Sequence, residues 1–284
     1  MNTAVKKDFV SDLAESFRFD DASLPSMPDA VRQLQRALNN SSVDVSSLSA
    51  LLQKDPVLAT RILRVANCPI YRTIQPVECV ADAVMRIGLT QTRNVALMLL
   101  ENSFKARHRL IDDRICWLWT ESLHVASIAY VLARHYGYVQ PDRAVLGGLL
   151  SNVGALLLLT HIDEKLQRID NDKILDVFVK QYASEFGARL LEYWEMDAEL
   201  LLVAENRDNW SRAHGAPPDL ADLVLVAKSC RQYDFSVDYG LPSHTELPAY
   251  EKIEMIYPRN LPLPRLIGEA SPDIRAMMDG LSGD

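Results

Sequence analysis

Apolar side chains recur at spacings of three and four along most of the chain, the period of a helix with one buried face. Val31, Leu34 and Leu38 share such a face, after Ser26, Pro28 and Asp29, which read as a cap and a first turn. Ser47 opens a short helix carrying Leu48, Leu51 and Leu52. Asp55-Pro56 is a cap followed by proline at the first helical position, where a missing N–H costs nothing. That helix carries Leu58, Ile62, Leu63 and Val65. Another runs through Val80, Ala83, Val84 and Ile87 to a left-handed stop at Gly88, and Thr90 caps the next, with Val95 to Leu100. A long helix is predicted from about Arg114 to Tyr136, with Gly137 as its stop. Pro141 starts a further one, whose apolar run reaches Leu159. Asn171 and Asp197 cap later helices, up to about Trp210, and Asp219 opens one through Leu223, Val226 and Ala227. Strict apolar–polar alternation persists nowhere, so the predicted fold class is all-α.

The pattern changes near Asp234. Six of the fourteen prolines lie between Pro242 and Pro272, a density that breaks helices and favours extended or turn conformations. Residues 234–284 are therefore expected to form an irregular proline-rich tail packed on the helical body, with one short helix from Tyr250 to Ile256. Residues 21–233 form the expected helical domain, and 1–20 a helical extension.

With 48% apolar and 24% charged residues in 284, the chain has the composition of a globular protein with a sizeable core. Its net charge is −8, which denies it the broad positive field of a non-specific nucleic-acid binder, so no nucleic acid is expected as partner. No run of 18 apolar residues suggests a membrane span, and Met1 to Asp20 has no continuous apolar stretch for a signal peptide. Cys68, Cys79, Cys116 and Cys230 are scattered, as expected for a cytoplasmic protein with reduced thiols.

Catalytic constellations are sparse. Gly147-Gly148 lies in an apolar helical run without the strand that a phosphate loop needs, and reads as close helix packing. The histidines, His108, His124, His135, His161, His214 and His244, are far apart and read as surface or capping residues. Lys105, Arg107, His108 and Arg109 read as a solvated helix end. Trp117 and Trp119, two apart on one helix, face different sides, which puts one in the core and the other near a cleft. No cofactor is expected.

Several segments, in order, resemble the HDOD family, the HD-related output domains of bacterial signalling proteins. They are Leu24-Pro25-Ser26-Met27-Pro28; Asp55-Pro56-Val57-Leu58; Arg61-Ile62-Leu63-Arg64-Val65-Ala66-Asn67 with Tyr71; Ala83, Ile87-Gly88-Leu89 and Arg93-Asn94; Trp119 with Ser122; Leu146-Gly147-Gly148-Leu149-Leu150 and Gly154; and Phe186-Gly187 with Trp194. The resemblance covers roughly residues 20 to 233. It implies a multi-helix bundle related to HD-type metal-dependent phosphohydrolases. In those enzymes a His, a His-Asp pair and a later Asp hold a divalent metal, which activates water against a phosphoester.

At the positions matching those ligands, this chain carries other residues. Glu121 stands for the first His, Ser151-Asn152 for the His-Asp pair, Glu205-Asn206 for a later His-His pair, and Lys228 for the last Asp. Ser and Asn are weak ligands, and an ammonium has no lone pair. Two unit charges about 4 Å apart interact by about 4 kcal/mol at an effective dielectric of roughly 20, and a divalent ion would feel Lys228 about twice as strongly. The expectation is that Lys228 stands in for the missing cation, paired with Glu121, Glu205 or both and hydrogen-bonded by Ser151 and Asn152. The alternative is a shallow cleft in which these side chains face solvent without touching.

The expected function is a non-catalytic signal-transduction module with no catalytic residue and no metal, acting on a signalling protein or a small ligand. The alternatives are a metal-dependent phosphohydrolase with atypical ligands, using Glu121 and Glu205, and regulatory nucleotide binding in the relic pocket.

Overall fold

The structure, a computed structural model, describes residues 24–38, 45–71, 75–165, 172–234 and 240–282. The expected extension over 1–20 and the cap at Asn171 lie outside these residues. Every regular element among the described residues is helical. The first four α-helices are α1 (Asp29–Leu38), α2 (Val45–Leu52), α3 (Pro56–Asn67) and α4 (Val80–Leu97). They pack as a layer in which α4 touches each of the other three. Asp55 caps α3 by accepting from the N–H groups of Val57 and Leu58. Gly88 breaks α4 with φ 78° and ψ 166°, a kink that a side chain would strain.

The second body is built around α5 (Arg109–Tyr136), which ends where Gly137 adopts the left-handed conformation, φ 78°. Its second half, from Glu121 onward, is almost wholly buried. It is enclosed by α6 (Pro141–Leu150), α7 (Val153–Lys165) and α10 (Leu220–Cys230), while α8 (Asp172–Tyr193) and α9 (Ala198–Glu205) form an outer wall. Glycine permits the closest of these contacts. A Cβ on Gly148 would lie 2.4 Å from Ala126 Cα, and one on Gly154 would lie 2.0 Å from the Ala183 carbonyl oxygen. Two stretches, Arg109–Tyr136 and Pro141–Asp163, are long and apolar enough to cross a membrane, but 78% and 89% of their most apolar windows are buried in the protein. They are core helices.

The apolar run after Pro141 divides in two. α6 stops at Leu150 and α7 begins at Val153, so Ser151 and Asn152 form a turn in the middle of the core.

The tail does not have the expected irregularity. It contains α11 (Pro248–Ile256) and the twenty-residue α12 (Leu263–Ser282). Pro248 starts α11 at the position where proline is tolerated, and Pro262 and Pro264 flank the start of α12 in the same way. Only Pro272 lies in a helix interior. The burial of Leu263, Ile267, Ile274, Met277 and Leu281 offsets its lost hydrogen bond. α12 packs on α3 and α5, and so joins the two bodies.

Candidate functional site

The residues that the resemblance places at ligand positions lie on α5, at the α6–α7 turn, at the end of α9 and on α10. Trp117, Glu121 and His124 share one stripe of α5, at spacings of four and three. Lys228, Arg231 and Asp234 share a stripe that runs from α10 into the short 3₁₀ turn Arg231–Tyr233. The two stripes meet in step. Arg231 Nη1 donates to Glu121 Oε1 at 2.7 Å, and three residues on His124 Nε2 lies 2.9 Å from Asp234 Oδ2. Since a carboxylate only accepts, the Nε2 of a neutral His124 carries the proton.

Lys228 is 3% exposed. Its Nζ lies 2.6 Å from Asp208 Oδ1 and 3.7 Å from Glu121 Oε1, and it donates to the Arg207 carbonyl at 3.3 Å. Arg207 closes the circuit: its Nη2 donates to Asn152 Oδ1 at 2.8 Å, and its Nη1 lies 3.3 Å from Asp208 Oδ2. Asn152 Nδ2 donates to Ser122 Oγ at 3.2 Å, and Ser122 donates onward to the Leu118 carbonyl. Glu121, Asn152 and Lys228 thus belong to one buried polar network.

Three of the expected residues do not. Ser151 turns back to donate to the Gly148 carbonyl at 2.8 Å. Glu205 is exposed, and Asn206 spends its amide on the Leu202 carbonyl and on Asn209. The reason is local. α9 ends at Glu205, Asn206 leaves the helical conformation (φ −105°, ψ 18°), and the chain turns so that the next two residues, Arg207 and Asp208, face inward. Arg207, Asp208, Arg231, His124 and Asp234 were not predicted. The available signal was the three-residue spacing of charges along two helices expected to be buried.

The electrostatics follow from burial. Burial pushes the Asp208 carboxyl up, but Lys228 and Arg207 outweigh it and hold the group below its ordinary value. Burial drives the His124 imidazole down to about 4, and Arg231 adds to the shift against the opposing pull of Asp234. His124 is therefore neutral at pH 7.

A divalent metal does not fit this donor set. Glu121 and Asp208 are taken by Arg231 and Lys228, Asn152 is held by Arg207 and Ser122, and three cations stand around two carboxylates. Elsewhere among the described residues, His214, Asp219 and Asp222 bring ligand atoms within 4.8 Å of one another. Arg212 already bonds both carboxylates there, and Lys252 lies 3.7 Å from Asp222, so that group is an ion-pair network around the start of α10.

Beside the buried network lies a cleft of about 590 Å³, lined in part by Trp117, Trp210, Arg207 and Asp208. Arg231 packs 5.7 Å from the centre of the Trp117 ring, and Lys228 lies 5.9 Å from that of Trp210. Trp117 is 52% exposed at this cleft whereas Trp119 is buried, the division expected for two indoles two residues apart.

The HDOD domain model matches residues 24–209. The chain belongs to the HDOD family. Its fold is shared by a protein from Shewanella amazonensis SB2B named "Putative metal-dependent phosphohydrolase", with a TM-score of 0.68 at 22% identity over 89% of this chain and 98% of that one. It is shared as well by an HDOD domain protein of unknown function from Geobacter sulfurreducens (TM-score 0.64, 22% identity, 99% of each chain). A third protein with this fold, from Marinobacter aquaeolei VT8, is named "Putative signal transduction protein" (TM-score 0.62, 19% identity, 99% of this chain and 67% of that one). Among curated proteins, an uncharacterized protein of Treponema pallidum (strain Nichols) is 26% identical over 224 residues, and the match covers 74% of this chain and 42% of that protein.

Proposed function

We propose that this HDOD domain is a non-catalytic regulatory module of bacterial signal transduction, acting through a bound protein or small ligand. The observation that carries this reading is the Lys228 ammonium, buried between Glu121 and Asp208 with Arg207 and Arg231 beside it, where the related hydrolases hold a metal. The site is a degenerate metal site: fixed positive charge does there what the ion does elsewhere, which is to hold acidic side chains from two segments together. The signal-transduction name of the Marinobacter neighbour supports the same reading. A cytoplasmic location is supported by four free cysteines and by the burial of both long apolar helices. The phosphohydrolase name of the Shewanella neighbour favours a second reading, a metal-dependent hydrolase with atypical ligands. That reading needs an ion to take Glu121 and Asp208 away from three cations already paired with them.

Elemental mass spectrometry of protein purified without chelator or metal-affinity resin tests this proposal, together with an assay on bis-p-nitrophenyl phosphate in added manganese. Metal far below one ion per chain and no hydrolysis are expected. Near-stoichiometric manganese, iron, zinc, nickel or cobalt, or metal-dependent turnover, would overturn it.

A further inference from the structure

We propose that the cleft beside Lys228 is a binding site for a small organic anion carrying a planar aromatic ring. This deepens the regulatory reading by giving the module a ligand class, and it rests on that reading for its biological sense.

The cleft, at about 590 Å³, has the size of small-molecule sites, roughly 300–1,000 Å³. Its apolar wall includes Leu159 and Val179, and Trp117 and Trp210 stand in it as rigid flat surfaces. An indole that is half exposed in a concavity is costly in water and favourable against a second ring. Each indole is also tied to a buried cation, Trp117 to Arg231 and Trp210 to Lys228, so neither is free to swing away.

Charge selects the sign of the ligand. The acids around the cleft are engaged: Asp176 with Arg114 at 2.7 Å, Asp208 with Lys228 and Arg207, and Glu121 with Arg231 behind it. Asp113, exposed at the edge of the cleft, lies 3.8 Å from Arg109, which offsets its charge there. Lys180, exposed on α8 at the rim, is the cation left over, with no carboxylate among the described residues at ion-pair distance. It acts on Asp208 only through the field. In the wall itself Arg207 is 7% exposed, and its Nε is a buried donor without a hydrogen-bond partner. A buried N–H without an acceptor is unfavourable, and the guanidinium that carries it stands in the cleft wall. A surplus ammonium at the rim, an orphan guanidinium donor in the wall and two indoles fit an aromatic carboxylate, sulfonate or phosphate, and do not fit an aromatic cation.

The test compares two dyes with nearly the same rings. 8-Anilinonaphthalene-1-sulfonate carries the anion, and N-phenyl-1-naphthylamine lacks it. Both are titrated into the full chain by fluorescence. Saturable binding of one sulfonate dye per chain is expected, about tenfold tighter than the neutral dye. Lys180→Gln, an exposed change, is expected to narrow that ratio to about twofold, and Trp117→Ala to weaken both dyes, with circular dichroism reporting that each variant is folded. Equal affinity for the two dyes would overturn the ligand class. Sulfonate-dye affinity unchanged in both variants would overturn the site. Neither result touches the metal assay, so a failed ligand assignment and a failed regulatory reading are told apart.

Discussion

Arg231 and Glu121 are separated by 110 residues in sequence and joined by a 2.7 Å hydrogen bond in a place where both side chains are 4% exposed. The bond ties the end of α10 to the middle of α5, and Lys228 leans on the same carboxylate from 3.7 Å. Burying three charges together is tolerable only while their partners are present. Glu121→Ala is therefore expected to cost about 3–5 kcal/mol in urea unfolding, because it takes from Arg231 its 2.7 Å carboxylate and leaves Lys228 only Asp208. The double change Glu121→Leu with Arg231→Met is expected to recover much of that loss. A double variant that loses as much as the sum of its two single changes would show that the pair is not coupled.

His124 makes stability depend on pH. Its folded value lies near 4, below the ordinary value near 6.5, so between these values the unfolded chain binds a proton that the folded chain refuses. Stability from this group is full above about pH 6.5, falls as pH drops towards 4, and changes no further below that. The expected loss is roughly 3 kcal/mol. Asp208, held below its ordinary value, adds a further loss that begins only near pH 4 and continues lower. Unfolding curves at a series of pH values check this, and His124→Gln should flatten the upper part of the profile.

Gly148→Ala tests the contact of α5 with α6. The added Cβ would lie 2.4 Å from backbone Ala126 Cα, and backbone cannot step aside as a side-chain end can. The strain outweighs the roughly 1 kcal/mol that alanine gains in a helix, and a net loss of about 2 kcal/mol or more is expected in thermal unfolding.

Ile274→Ala tests whether α12 belongs to the core. Ile274 is fully buried, and its truncation is expected to cost about 2–5 kcal/mol. A loss under 1 kcal/mol would mean that α12 is an accessory to a domain that stands without it.

The helical body was legible because its signals are local. Asp55, Asp197 and Asp219 cap the helices they were expected to cap, and Gly137 stops α5. The tail departs from the expected irregularity because most of its prolines sit at helix starts or between helices, where they do not oppose the apolar spacing Leu263, Ile267, Ile274, Met277, Leu281. At the site, the contact of Glu121 with Lys228 follows from helix positions that the sequence sets. The roles of Glu205 and Asn206 failed because they depend on how the chain turns after α9, and no local pattern fixes that turn. Arg231 and Asp234 lie just beyond Lys228 at helical spacing, and their partners on α5 become visible only once the two helices are packed.

Cys68 donates to the carbonyl oxygen of Ala276, 208 residues further along. The surfaces of α3 and α5 under α12 stay wet until α12 itself has been made and docked. Loops of such length close slowly, and apolar surface left open in the meantime is prone to stick to other chains. A chain cut before α12 therefore leaves apolar surface of α3 and α5 uncovered, and it is expected to aggregate more readily than the chain that carries α12.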